Sequence, residues 1–513
     1  MSGLTKTSRM DEVPPPEADI DVSTGRVSPK TKPFKLWSTL GIAYSITSTP
    51  LAIGTYLAVS IGVGGSPVSI FGYIMVVILD MCICVSLAEM AAIMPHSAGQ
   101  IFWTATLAPK RRARALSYIV GWLTSAGYFC WTAACFLITS QLIFALVEIC
   151  RTTFIVQPWH YYLGYCGTGL FAVVVNIPLF KWYPYILNGL VVYINAASLF
   201  VMVALLVRAY PKQSADFVFV DFVNSTGWNS KGVVFFLGLL PGLTAVNGFD
   251  CAAHMAEEMP NPRRQVPQVM VLSALLSAVS GLVMLLVYMF CITNPVNLLA
   301  PVGGQPIAQL MVDSFNDLPL TIVGVLVFII CFLFASSTLL TTFSRVLWSF
   351  SRDDGMPFSG TMGKMSTGSS IPVHAVLLGF LVCILIGLLE LGSSTALNAI
   401  LGAGILFIFA SYAIPITCAL LQHRKDFAAT HYFDLGKIVG RALNVISVVW
   451  ICFIFVWLCF PLYVPVTGVT MNYAIVVFAI VAMLSTINWF AWSNKRFRYP
   501  EAMVQTSHGE ISA

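Results

Sequence analysis

Long apolar runs, separated by short polar or charged stretches, dominate this chain from end to end. A helix that crosses a bilayer needs roughly 20 mostly apolar residues. Twelve stretches meet that requirement: 38–62, 69–93, 115–147, 160–180, 184–208, 232–256, 269–293, 318–350, 372–390, 393–422, 442–463 and 470–493. The first is the least apolar, because Ser, Thr and Gly interrupt it. The pattern predicts an all-α integral membrane protein of twelve transmembrane helices, with a transporter domain over residues 36–495. Residues 1–35, polar and carrying Pro14, Pro15 and Pro16 in a row, read as a disordered cytoplasmic tail with no cleavable signal peptide. Residues 496–513 read as a second cytoplasmic tail.

Composition agrees. Apolar residues make up 58% and charged residues 10%, with a mean hydropathy of +0.84; soluble proteins carry about 25% charged residues. A bilayer is therefore the expected surrounding. The net charge of +5 is spread in small groups between apolar runs, which excludes a nucleic-acid surface. With the N-terminus in the cytoplasm and the sides alternating, 23 of the 27 Lys and Arg residues fall on the inner side, as the positive-inside rule demands. Both termini are then cytoplasmic. The sequon Asn224-Ser225-Thr226 falls on the outer side, and Asn224 is the expected glycosylation site. The thirteen cysteines lie almost all inside apolar runs and read as small packing residues; Cys82 and Cys84 are the closest pair, and no paired zinc spacing occurs.

Two spans are interrupted. The first reads Gly41-Ile42-Ala43-Tyr44-Ser45-Ile46-Thr47-Ser48-Thr49-Pro50-Leu51-Ala52-Ile53-Gly54. Pro50 removes a backbone donor and obstructs the carbonyl a turn earlier, and in lipid the freed groups need partners. The sixth span has the same character, with Pro241, Gly242 and Gly248 before Asp250. Matching interrupted spans in the two halves of a chain point to a transporter's midplane binding site. Two unrelated proline kinks are the plain alternative.

Two stretches carry a family likeness. One runs from Ala88-Glu89 through Pro95 to Ser97-Ala98-Gly99-Gln100; the other from Phe249-Asp250-Cys251 through Glu257-Glu258 and Pro260-Asn261-Pro262-Arg263-Arg264 to Val266-Pro267. With the helix count, the chain resembles the amino acid–polyamine–organocation superfamily over roughly residues 36–495, and within it the fungal amino acid/GABA/choline permeases. The resemblance implies two inverted five-helix repeats plus two extra helices, with helices 1 and 6 broken. It further implies a substrate site in which the unwound region of Thr47, Ser48, Thr49, Pro50 and Leu51 offers its backbone N–H groups, Pro50 having none, to a carboxylate. Val246, Asn247, Gly248, Phe249 and Asp250 would offer carbonyls to an ammonium group. Some proton-coupled relatives carry a lysine in helix 5 where this chain is read as having Asn195, which cannot titrate. Ser336 and Ser337, with Thr338, are open to reading as sodium ligands or as packing residues. Coupling to a proton or to sodium stays open.

Charges inside the membrane cost about 2.5–3.5 kcal/mol on insertion scales and are usually functional or paired. Asp80 reads either as part of a proton path or as paired with a hydroxyl. Asp250 reads as a contact for a substrate amine, as a titrating group, or as a helix cap. His254, one turn on, reads as a gating or a structural residue. Glu89, Glu257 and Glu258 could pair with Arg111, Arg112, Arg263, Arg264 and Arg345 as an inner gate, or stand as solvated charges. Phe249 and the helix-3 aromatics Trp122, Tyr128, Phe129 and Trp131 could meet a quaternary amine by cation–π contact. The expected function is secondary active transport of an amino acid, GABA, choline or a similar amine by alternating access, with the plasma membrane as the expected location. A nutrient sensor and an exporter remain as alternatives. GxxxxGK[ST], HExxH and GxSxG are all missing from the sequence, so no enzymatic activity, cofactor or metal is expected.

Overall fold

The computed structural model describes residues 20–21, 26–27, 35–366, 371–392, 394–422, 432–468 and 470–498. Of the expected disordered tail at 1–35, the described residues are Ile20–Asp21, which pair antiparallel with Arg26–Val27, and Lys35; the rest of it and most of the expected C-terminal tail lie outside the described residues. The chain is helical almost throughout. Helix α1 (Leu36–Thr47) is followed by α2 (Thr49–Ala52), a 3-10 turn and α3 (Leu57–Gly62), then by α4 (Gly65–Ile93), α5 (Gln100–Leu107) and α6 (Lys110–Cys150). Next come α7 (Pro158–Asn176), α8 (Tyr183–Arg208), the short α9 (Ala215–Phe219), α10 (Lys231–Leu237), α11 (Leu240–Ala245) and α12 (Cys251–His254). The second half contains α13 (Pro262–Cys291), α14 (Pro306–Phe315), α15 (Leu318–Arg352), α16 (Ser359–Met362) and α17 (Val373–Gly387). It ends with α18 (Leu389–Gly392), α19 (Ser394–Gly402), α20 (Gly404–Leu421), α21 (Lys437–Trp457), α22 (Ala474–Asn488) and α23 (Asn494–Arg496).

Among the described residues, ten helical stretches are long and apolar enough to cross a membrane, and Lys231–Ala245 is a shorter apolar one. Their starts follow local chemistry. Pro158, Pro262, Pro306 and Pro319 stand in first turns, where a missing N–H costs nothing. Asp317 caps α15 by accepting the Leu320 N–H at 2.9 Å.

The core is built where α6 packs on α15 and α20, α4 on α13 and α21, and α1 on α8 and α13. Gly41 lets α1 approach α8 so closely that a Cβ there would meet the Leu187 carbonyl oxygen at 2.3 Å. The outer flanks of the helices expose Val192, Leu385, Val449, Met483 and many like them. So much exposed apolar surface fits hydrocarbon, not water. Trp37, Trp159, Trp182 and Tyr185 stand exposed near helix ends, as interfacial anchors do. The chain is a multi-pass integral membrane protein.

Candidate functional site

The two interrupted spans break side by side in the core. In the first, Ser48 takes the left-handed conformation (φ 39°) and ends α1, and Pro50 lies in the first turn of α2. In the second, residues 246–250 are non-helical between α11 and α12, and Gly248 has φ 93°. The Thr49 hydroxyl donates to the Ala245 carbonyl and ties one break to the other. Tyr288 Oη donates to the Pro50 carbonyl at 3.0 Å, and Thr47 Oγ1 lies 2.9 Å from Ser277 Oγ. The Pro50 carbonyl is thus met from α13 and the Ala245 carbonyl from Thr49, as groups released in lipid require.

A cavity of about 280 Å³ lies against both breaks. Ile46, Thr47, Ser48, Thr55 and Tyr56 form one wall, Leu240, Thr244 and Asn247 a second, and Trp131, Cys135 and Gln141 of α6 a third; Phe332 of α15 and Asn398 of α19 close it. Every polar lining group is a hydroxyl, an amide, an indole or the Cys135 thiol, and none is a charged side chain. A second cavity of about 510 Å³ shares Leu240, Asn398 and Gly402 with the first and reaches Tyr463, Thr470 and Asn472 beyond the end of α21.

The opposite face is shut. Arg352 reaches Glu257 with both terminal nitrogens, at 2.8 and 2.9 Å. Arg345, fully buried, donates to Glu258 at 3.1 Å, and His96 stands 3.8 Å from Glu257. Burial favours the neutral Glu257 carboxyl, but the Arg352 guanidinium, with His96 and Ser97 assisting, holds its pKa down to about 2. Glu89 accepts the Leu435 N–H at 3.0 Å, whereas Arg111, Arg112 and Arg263 are exposed or nearly so at this face.

The candidate residues separate into groups. Thr47, Ser48 and Asn247 line the cavity; Thr49, Pro50, Leu51, Val246 and Gly248 form the breaks behind them. Asp250 is at the second break but does not line the cavity. Its carboxylate accepts Tyr128 Oη at 2.8 Å, Tyr412 Oη at 2.6 Å and Gln100 Nε2 at 2.5 Å, with His254 Nε2 3.6 Å away. Phe249 stacks on Tyr412 and also lies off the cavity. His254 is buried with Nδ1 2.9 Å from the Ser97 carbonyl. Ser336 lies 3.4 Å from Thr139, and the Ser337 hydroxyl is spent on its own helix at Leu333. Asn195 is on the exposed face of α8, its amide bonded to the Val191 carbonyl at 2.8 Å, while Leu187, Leu190 and Ile194 face inward. Asp80 is fully buried. It accepts Trp450 Nε1 at 2.8 Å and lies 3.5 Å from Asn247 Nδ2. Asn224 is exposed in the segment that pairs with Val63. Of the helix-3 aromatics, Trp131 reaches the cavity, Tyr128 binds Asp250, Phe129 packs toward Phe343 and Trp122 toward Tyr118. Among the described residues, no group of three His, Cys, Asp or Glu side chains is arranged to hold a metal.

Sequence reasoning missed Tyr56, Gln141, Asn398, Tyr412 and Trp450. Gln100 stood in a quoted motif; hydroxyl or amide residues inside apolar spans were the available signal for Tyr56, Gln141, Asn398 and Tyr412, and Trp450 gave none.

A helical membrane protein with an uncharged cavity at two broken helices, closed on one face by ion pairs, has the build of a transporter. The amino acid permease family profile matches residues 34–481, and the chain belongs to that family, within the amino acid–polyamine–organocation superfamily. It is 30% identical over 472 residues to a choline transporter of Saccharomyces cerevisiae, covering 91% of this chain and 82% of that one. It is 28% identical over 469 residues to amino-acid permease 2 of Neurospora crassa, covering 91% and 86%. It is 27% identical over 473 residues to a polyamine transporter of Saccharomyces cerevisiae, covering 91% and 76%.

Proposed function

We propose that this protein carries a small amine cation of the choline type across the plasma membrane by secondary active transport with alternating access. The observation that carries the reading is the wall chemistry. At the first break the Ser48, Leu51 and Ala52 N–H groups already donate to the Tyr44 and Ser48 carbonyls, and Pro50 has none. Little donor capacity is left there for a carboxylate. At the second break the Val246 and Asn247 carbonyls take no hydrogen bond from another described residue. Carbonyl oxygens, with the faces of Trp131 and Tyr56, suit a cation that brings no carboxylate. An amino acid is the second reading, favoured by the Thr47 and Ser48 hydroxyls at the cavity.

In this reading, α7 and the broken unit α10–α12 complete twelve spans, arranged as two inverted five-helix repeats plus two. The domain runs over 36–495, with both termini cytoplasmic. The ion-paired face is then the inner one, and the cavity is open to the outside. Thr47–Leu51 and Val246–Asp250 shape the site, with Asp250 as the brace that ties α12 to α6 and α20.

Counterflow in proteoliposomes tests the reading. Vesicles are preloaded with choline, ethanolamine, GABA, neutral or basic amino acids, or polyamines, and a labelled tracer is followed. Exchange of choline, lost on Trp131→Ala in protein that stays monodisperse, is the expected result. Exchange restricted to carboxylate-bearing compounds overturns the cation and leaves the amino acid; binding without any exchange leaves a sensor.

A further inference from the structure

Two acids lie deep in the helical bundle, and their surroundings differ. Asp250 has a histidine at 3.6 Å and three further donors. Asp80 has neutral donors only: the Trp450 indole at 2.8 Å on Oδ1 and the Asn247 amide at 3.5 Å on Oδ2. A carboxylate buried in a membrane domain without a cation is costly unless it serves a function.

Its neighbours supply no counter-charge. On α4 the titratable groups near it are Cys82 and Cys84, and Cys84 lies between the fields of Asp80 and Asp250. On α13, residues 265–290 contain no Asp, Glu, Lys, Arg or His, and neither do residues 442–457 of α21, which add Cys452 on the exposed face. Helix α11 is wholly uncharged, and α20 brings Tyr412, which is bound to Asp250.

Asn247 links Asp80 to the cavity. Asn247 is a residue of the cavity wall, and its amide nitrogen donates to the Leu243 carbonyl. Its Oδ1 is buried with no hydrogen-bond partner among the described residues. Which amide atom is oxygen follows from the hydrogen-bond network, and here the network is half satisfied.

We propose that Asp80 takes up the coupling proton and that Asn247 reports its protonation state to the cavity. The proposal rests on the reading of the protein as a carrier. The proton adds to Oδ2, since Oδ1 is held by Trp450. The new Oδ2–H no longer accepts from an N–H and donates instead to the Asn247 Oδ1, so the amide turns over, its nitrogen leaves the Leu243 carbonyl, and its NH₂ edge is re-aimed at the cavity wall. Loss of the proton reverses the turn. No other bond forms or breaks, and the proton leaves toward the ion-paired face.

The way out is marked by a seam between α4 and α21. Two contacts, Asp80 with Trp450 and Glu89 with the Leu435 N–H, set these helices antiparallel. Asn444 of α21 falls between those levels, fully buried, with neither side-chain polar atom partnered among the described residues. A buried amide without partners is costly in packing terms and suits a relay between the two acids.

The test uses the full chain in proteoliposomes with an inward proton gradient, labelled choline as tracer and a trapped pH dye. The wild type is expected to accumulate choline and acidify the lumen. Asp80→Asn, which keeps an acceptor for Trp450, is expected to keep counterflow within about twofold and to lose gradient-driven accumulation at least tenfold, with no substrate-induced acidification. Accumulation and acidification that survive Asp80→Asn overturn the proposal. If Asp80→Asn misfolds, Trp450→Phe decides: it removes the donor to Oδ1, and a shift of at least half a pH unit in half-maximal uptake supports the proposal, whereas an unchanged profile overturns it. Asn444→Leu is expected to slow gradient-driven uptake but not counterflow, and unchanged gradient-driven uptake removes the seam. Wild-type counterflow without proton movement overturns Asp80 and leaves the carrier standing; no counterflow with any amine or amino acid removes the carrier itself.

Discussion

Glu257 sits against the Arg352 guanidinium at 2.8 Å, with the His96 ring 3.8 Å away. Burial favours its neutral form, yet the guanidinium holds the carboxyl at about 2, against an ordinary value of 4.5. A folded-state value below the unfolded one sets the sign. The stabilisation is complete above about 4.5 and is lost as pH falls from there toward 2. Glu257→Gln is therefore expected to cost the detergent-solubilised protein about 1.5–3 kcal/mol, the range for hydrogen bonds to charged groups. Thermal unfolding should show a constant gap between variant and wild type from about pH 5 to 8, narrowing below pH 4.5. A gap that stays constant down to about pH 2 would show that the Glu257 carboxylate does not carry the stabilisation. The same sign means that any pH dependence of transport near neutrality belongs to a group other than Glu257.

At the scale of elements, the breaks are the features that chain pattern and folded geometry share, and they differ by a few residues. Pro50 and Pro241 mark the interrupted spans, but neither is the broken residue. Proline's fixed φ fits the first turn of a helix, so Pro50 starts α2 and the left-handed residue is Ser48, just before it. Pro241 likewise starts α11, and the chain opens five residues later at Val246. The apolar stretches were readable because a bilayer demands about 20 such residues. The inward face of each stretch was not, because a helix surrounded by lipid is apolar all round. Asn195 shows the consequence: it looked like a core position, and Ile194 beside it is the buried one. Asp250 was legible as an unusual charge, while its donors come from Gln100, Tyr128 and Tyr412, in three different elements. Gly248 provides an element-scale test. At φ 93°, with a Cβ that would lie 2.7 Å from the Ile46 side chain, Gly248→Ala should cost about 1–3 kcal/mol of backbone strain. That strain falls on Ile46 in the cavity wall. Counterflow should fall at least tenfold while Gly242→Ala, whose Cβ would meet Tyr73 at an ordinary 3.4 Å, stays near wild type.

Across the whole molecule, closure at one face and access at the other define which way the carrier points. The Glu257–Arg352 and Glu258–Arg345 pairs join the α12–α13 connection to α15, while the cavity runs from Asn247 past Tyr56 to the loop after α21. The proposed alternating access requires these ion pairs to part when the far side closes, so the two faces should respond oppositely to one perturbation. Cysteine labelling measures this. Cys135 lines the cavity, so a Cys135→Ala background is used. In it, Gln141→Cys should react with a charged, membrane-impermeant thiol reagent added outside, block uptake, and be protected by choline. Ser97→Cys, under the Arg352–Glu257 pair, should stay inert from either side. Adding Arg352→Gln releases Glu257, favours the conformation open to the basic face, and should expose Ser97→Cys from that face while slowing external reaction at Gln141→Cys several-fold. Both sites reacting faster together would mean a loosened bundle; opposite changes require two conformations exchanging around one site, because a single rigid pore cannot produce them.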